Sequence, residues 1–162
     1  VTPPDHLPPQ LVLLPGLHGS AALSGQLLAV VPPEYRPIVI EFPQDRPLGY
    51  DALFELIQQR TRDIDQMIVL GESFSGPLAV RLADAAPDRV VAMVLAVTFV
   101  TCPVPRWFAG FSRLLARFMP TTRFQIRALL AGWNAPDALI TQVQYAIATA
   151  ARPVLAERIA AV

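Results

Sequence analysis

Lysine is absent from these 162 residues, cysteine occurs once, histidine twice, and charged residues make up only 16% of the chain. Each shortage excludes something. Cys102 alone cannot form an intramolecular disulfide, so nothing argues for an oxidising compartment and a cytoplasmic location is expected. His6, His18 and a single cysteine do not offer the ligand set of a metal site, and no metal or other cofactor is expected. The 13 cationic residues, all arginine, are balanced by 13 acidic ones, which removes the basic footprint that nucleic-acid binding requires. The uniform choice of arginine reads as genome composition rather than function. No apolar run approaches the roughly 20 residues that a membrane span needs; the longest, Val90 to Val100, reads as a buried strand. No charged segment followed by an apolar stretch opens the chain, so no secretory signal is expected.

What is abundant is apolar: hydrophobic residues make up 53%. A chain of this length suits one domain with a real core. A surface so poor in charge is expected to leave apolar area that a partner covers or that lines an acyl site. After a proline-rich arm, Leu11 to Leu14 is a short apolar run stopped by Pro15-Gly16 and predicts a strand buried on both faces. Ile38 to Ile40, Met67 to Leu70 and Val90 to Val100 predict three more. Between them lie helix candidates. Leu23 to Val31 has Ser20 near its start as a cap; Asp51 to about Arg60 carries Leu53, Phe54 and Ile57 on one face; Gly76 to Ala86 is ended by Pro87.

Alternation at this pace predicts βαβ units, hence an α/β fold with a minimal parallel sheet of about four strands flanked by helices. From Pro103 onward the period is helical. Trp107, Phe108, Phe111, Leu114, Leu115 and Phe118 fall on one stripe. Phe124 to Ala131 follows, with Thr121 or Thr122 as cap and Gly132 as stop; Leu139, Val143 and Ile147 mark another helix, and Val154 to Ala161 a last one. The chain thus reads as a single domain, residues 1–162, with a sheet core over 1–102 and a C-terminal all-helical cap over 103–162.

Gly71-Glu72-Ser73-Phe74-Ser75-Gly76 stands directly after one predicted strand and directly before an Ala/Leu-rich helix. That is the setting of a nucleophile. A tight strand-to-helix turn lifts the hydroxyl above the sheet, and the helix N-terminus adds partial positive charge beside it. Strand and helix come close in such a turn, so small residues are needed on either side. Gly71 supplies one, and Ser75 stands where a second glycine is usual.

Leu14-Pro15-Gly16-Leu17-His18-Gly19-Ser20 is the turn after the first strand. Acyl transfer needs two backbone N–H groups aimed at the carbonyl oxygen: Phe74 would give one and Leu17, with His18 as the neighbouring option, the other. Alone, this string reads as an ordinary Gly-rich turn; beside the elbow it reads as an oxyanion loop. Glu72 reads as a structural partner of nearby backbone, and Cys102 as a small buried hydrophobe. The aromatic stripe suits an acyl pocket, a membrane-facing lid or a plain packing face equally.

The two motifs together resemble the α/β-hydrolase superfamily, particularly small bacterial hydrolases of the esterase/lipase kind. The resemblance covers Leu11 to about Val100; beyond Pro103 it extends only to the helical insert that such proteins place over the site. It implies a serine hydrolase acting on small apolar carboxylic esters through an acyl-enzyme on Ser73, with Leu17 and Phe74 holding the oxyanion and no cofactor. It also implies an acid and then a histidine after the serine. Here the sequence departs from the pattern. No histidine follows Ser73, and no Asp or Glu occurs from Arg89 to Ala135.

The chain therefore looks like a hydrolase lacking the C-terminal part that carries the acid and the histidine. Three explanations stand open. The chain is a shortened product or fragment of a longer one. A second chain supplies the missing elements, the last strand being an unpaired apolar edge that favours a homodimer. Or His18 serves as a surrogate base. The resemblance places the first strand between the second and third, so the loop of His18 would flank the elbow, with Asp45 or Glu41 on its far side. A Ser73–His18–Asp45 line then follows. The plainer readings are His18 as a loop residue that fixes the oxyanion turn and Asp45 as a solvated turn residue. From another class, the alternative is a non-catalytic hydrolase-fold protein that binds an apolar ligand or a second subunit.

Overall fold

The computed structural model describes residues 8–101 and 122–162. The aromatic stripe from Trp107 to Phe118, Cys102 and His6 lie outside the described residues. The apolar runs become four strands: β1 (Gln10–Leu14), β2 (Ile38–Val39), β3 (Met67–Glu72) and β4 (Val90–Ala96). Three helices alternate with them, α1 (Gly25–Val30), α2 (Tyr50–Thr61) and α3 (Gly76–Ala85). A helical segment follows: α4 (Arg123–Ile126), which widens into a π-helical turn over Arg127–Ala131, then α5 (Asp137–Thr149) and α6 (Arg152–Ala161). The four strands form one parallel sheet in the order β2-β1-β3-β4. The expected α/β architecture is the one found.

Successive strand residues face opposite ways, and each face finds its own cover. Val12, Leu14, Met67 and Val69 pack with Leu53 and Ile57 of α2 and with Leu78, Ala79 and Leu82 of α3. Leu11, Leu13 and Leu70 take the other face, under Val31, Tyr35 and Val39. Burying each such side chain contributes about 1.5–3 kcal/mol, so the first face dominates the fold.

Several elements differ from expectation in instructive ways. β4 ends at Ala96 rather than Val100, because the chain turns through a left-handed conformation at Val97 (φ 49°). Nor is β4 buried: Val91, Met93, Val94 and Leu95, which point to both faces, are 39–48% exposed. A 3₁₀ turn over Ala21–Leu23 precedes α1, and Ser20 at its start makes no side-chain capping bond. In α5 the buried residues are Ile140, Val143 and Ala146, with Leu139 exposed, so the inward stripe is offset from the expected one. The cap at Thr122 is as expected: the Gln125 N–H donates to Thr122 Oγ1 at 3.2 Å, and the Thr122 N–H donates to Gln125 Oε1 at 2.9 Å. Among the described residues no helix is long and apolar enough to cross a membrane.

The strand order decides where a site can form. β1 leads away to β2 on one side, whereas its neighbour β3 leads to β4 on the other. At such a switch point the loops part above the carboxyl ends of the strands and leave a crevice. Leu14 pairs with Gly71, so Pro15 and Gly16 emerge level with Glu72 and Ser73, on strands about 4.8 Å apart.

Candidate active site

β3 runs through Gly71 to Glu72, and the chain then turns sharply at Ser73, whose φ of 48° lies in the left-handed region. A non-glycine residue there costs about 1–3 kcal/mol, and such strain persists only where the surroundings impose it. They do so here. Ser73 O accepts from the Gly76 N–H and from Thr98 Oγ1, and Phe74 O accepts from Tyr50 Oη at 2.9 Å. The Tyr50 ring also stacks on Phe74, with centroids 4.8 Å apart, while Phe42 meets the same ring edge-on. Phe74 is thereby sunk in the core, and its N–H lies in the first turn of a helix, where amides have no intrahelical acceptor.

Close packing explains the small residues. A Cβ on Gly71 would come within 2.7 Å of Ala79 Cβ and 2.9 Å of Ser75 O, both fixed by backbone. A Cβ on Gly76 would come within 2.8 Å of Thr98 Cγ2 and 2.9 Å of Phe99 O. Ser75, in the place of the usual glycine, is fully buried, and its hydroxyl donates to Pro15 O. The departure thus has a local use: it ties the elbow to the loop after β1. The Ser73 hydroxyl itself is half-buried and has no hydrogen-bond partner among the described residues.

That loop is a turn closed by the Gly19 N–H, which donates to Gly16 O at 2.9 Å; Gly19 O accepts from the Phe42 N–H at 2.8 Å. The Leu17 N–H donates to none of the described residues. Leu17 and Phe74, whose N–H groups donate to none of the described residues, belong to the loops that part at the switch point above β1 and β3.

His18 is 5% exposed, and its Nε2 has no partner among the described residues. Burial lowers its pKa below the ordinary value; the Glu72 carboxylate and a hydrogen bond with the Ser20 backbone pull it back up, and Arg158 lowers it further. Glu72 Oε1 and His18 Nδ1 both lie against Gly16, 3.4 Å and 3.5 Å from where a Cβ there would be. The carboxylate acting on His18 is therefore Glu72. Asp45 is exposed and is not among the groups acting on His18, and Glu41 is taken up by the Ala21 N–H at 2.7 Å. The expected line through Asp45 is not assembled. Sequence reasoning missed Tyr50, Thr98 and Arg158. Thr98 had a faint signal, since it follows the end of a strand beside the elbow; an arginine in an Ala-rich helix has none. Among the described residues no group of His, Cys, Asp and Glu is placed to hold a metal ion.

No protein-family model matches the sequence, and no curated protein matches it. Solved structures do. A hydrolase from Pseudomonas aeruginosa PA01 superposes with a TM-score of 0.73 at 18% identity, over 95% of this chain and 63% of that one. The chain has the α/β-hydrolase fold. The same α/β-hydrolase core superposes on the bottromycin epimerase in complex with bottromycin A2, with a TM-score of 0.66 at 14% identity over 94% of this chain and 63% of that one. It also superposes on the N-formylmaleamic acid deformylase of Pseudomonas putida S16, at 0.63 and 17% over 94% and 65%. The chain thus spans less than two-thirds of the length of these relatives in fold. At such identities the likeness is one of fold, which hosts many chemistries.

Proposed function

We propose that the protein is a serine hydrolase that cleaves carboxylic esters through an acyl-enzyme on Ser73. The observation that carries this reading is the Ser73 backbone, held at a φ of 48° between β3 and the following helix, with its hydroxyl bonded to none of the described residues. Ser73 Oγ attacks the ester carbonyl carbon while its proton passes to a base. The N–H groups of Leu17 and Phe74 hold the oxygen that becomes negative, the largest single contribution in such reactions. Collapse expels the alcohol, which takes up a proton, and water then releases the acid by the same route. Small apolar esters suit a chain so rich in apolar side chains.

The base is the role filled least completely. His18 is the one imidazole among the described residues; burial favours its neutral, proton-accepting form, and Nε2 has no partner. It would have to meet Ser73 Oγ through that atom, with Glu72 in place of Asp45 as the carboxylate beside it. Hydrolysis of p-nitrophenyl esters tests both roles. Ser73→Ala is expected to abolish turnover, and full turnover in that variant discards the reading. His18→Ala with unchanged hydrolysis removes His18 from the mechanism and leaves Ser73 in it.

A second reading has its own observation. β4 exposes apolar side chains on both faces and, among the described residues, stands at one edge of the sheet. A hydrolase-fold protein that binds a second subunit, here another copy of the chain, would cover that strand without any chemistry at Ser73.

A further inference from the structure

Arg158 is the one buried guanidinium among the described residues, at 1% exposure. An arginine on an Ala-rich surface helix ordinarily extends into water. From α6 this one turns inward instead. Nη1 donates to Leu17 O at 2.8 Å and Nη2 to Pro43 O at 2.8 Å, and the guanidinium lies 5.6 Å from the centre of the Phe42 ring. Its Cζ sits 2.8 Å from where a Cβ on Gly19 would stand, so Gly19, at φ +71°, is the seat that admits it. No carboxylate among the described residues pairs with it, and its Nε has no partner. Burial lowers its pKa to about 10. A buried cation with no counter-ion is costly to keep. Its geometry says what it is kept for.

The loop after β1 is held almost wholly by its carbonyl groups. Pro15 O accepts from Ser75 Oγ, Gly16 O from the Gly19 N–H, Leu17 O from Arg158 and Gly19 O from the Phe42 N–H. Because a peptide unit is planar, fixing Gly16 O also fixes the direction of the Leu17 N–H. Leu17 lies between that plane and the next, whose oxygen is the one Arg158 holds. With the second plane released, both soft torsions of Leu17 are free, and the turn that aims its N–H loosens.

Resting on the acyl-transfer reading above, we propose that Arg158 is the positioning residue of the oxyanion loop: from α6 its guanidinium locks the Leu17–His18 peptide to Pro43 and so keeps the Leu17 N–H aimed at the transition state. Arg158 touches no reacting atom. It makes the helical segment part of the site, since the loop that holds the oxyanion is braced from a helix far along the chain. It also stands as a positive charge near His18, on which the Glu72 carboxylate of β3 and the Ser20 backbone act in the opposite sense.

The test uses Arg158→Met and Arg158→Lys in the full chain. Arg158→Met is expected to lower kcat for p-nitrophenyl acetate by about 10- to 100-fold, somewhat less than outright loss of an oxyanion donor, with KM within about twofold. Arg158→Lys recovers part of that loss, because an ammonium reaches one carbonyl but does not fork between two. In ¹H–¹⁵N spectra the Leu17 and His18 amides move in Arg158→Met, and the His18 imidazole titrates at higher pH once the neighbouring cation is gone. A folded Arg158→Met with wild-type kcat, amide shifts and His18 titration overturns the proposal. If that variant does not fold, the same readings on Arg158→Lys decide: a partial kcat loss with displaced Leu17 supports it, and wild-type values on both overturn it. An inactive wild-type protein counts against ester hydrolysis, while the Leu17 shift and the His18 titration still judge Arg158.

Discussion

Removing one oxygen atom, in Ser75→Ala, tests whether the elbow and the loop after β1 are a single unit. Ser75 is fully buried, and its hydroxyl donates to the carbonyl of Pro15, itself buried. Alanine suits the backbone there, at φ −87° and ψ 1°, so the substitution isolates the bond. A buried carbonyl stripped of its donor costs about 1–3 kcal/mol. In a chain of this size each kcal/mol is about 2–4 °C in Tm, so a mid-range loss of about 2 kcal/mol lowers it by about 4–8 °C. Ser75→Gly restores the residue usual at such elbows, yet is expected to fall further, by about another 0.5–1 kcal/mol, because glycine frees the unfolded backbone. Scanning calorimetry reads both, with kcat for an ester as the companion measurement, since the same bond holds the loop after β1 that is proposed to bear the oxyanion. A Ser75→Gly protein at or above the wild-type Tm would refute the reasoning, for the bond to Pro15 would then contribute nothing.

Three further outcomes are expected. Gly71→Ala places a methyl group within 2.7 Å of Ala79 Cβ and 2.9 Å of Ser75 O; overpacking of this kind costs about 1–3 kcal/mol or more, and a urea midpoint equal to wild type would speak against the close strand–helix approach. Burial keeps the His18 pKa below its ordinary 6.5, so the unfolded chain takes up the proton first as pH falls. The stability tied to His18 is complete above pH 6.5 and is lost as pH drops from there to its folded pKa. His18→Gln should flatten that part of the pH dependence, and parallel curves for the two proteins would contradict it. At β4, Val94→Lys puts a charge on an apolar edge strand; light scattering should read a dimer for wild type and a monomer for the variant, and a wild-type monomer at high concentration sinks the pairing.

The sheet was legible because its strands are short, continuous apolar runs ended by Pro-Gly, Gly or a helix start, and parallel strands buried on both faces read that way. The sharp turn from β3 into the next helix was legible for a related reason: Gly71, Ser73 and Gly76 answer to local sterics, which leave their mark in adjacent residues. What stayed hidden depends on distant contacts. Arg158 meets Leu17 O from the far end of the chain, and Tyr50 meets Phe74 O from the start of α2; neither has a neighbour in sequence that announces it. Strand order alone suits Asp45 to His18, yet the strand-end carboxylate of Glu72 acts on His18 and Asp45 stays exposed. Strand order places loops side by side without choosing which side chains turn inward. β4 reads as buried and is not, for a similar reason: an apolar run shows that a strand can be covered, whereas cover depends on neighbouring elements.

The most direct measurement is the intact mass of the protein after exposure to a fluorophosphonate, followed by peptide mapping. One adduct per chain, located on Ser73 and absent from Ser73→Ala, is the result expected if the serine in the strained turn after β3 is the proposed nucleophile. An unmodified protein, or an adduct on any other residue, would contradict the acyl chemistry assigned to this site.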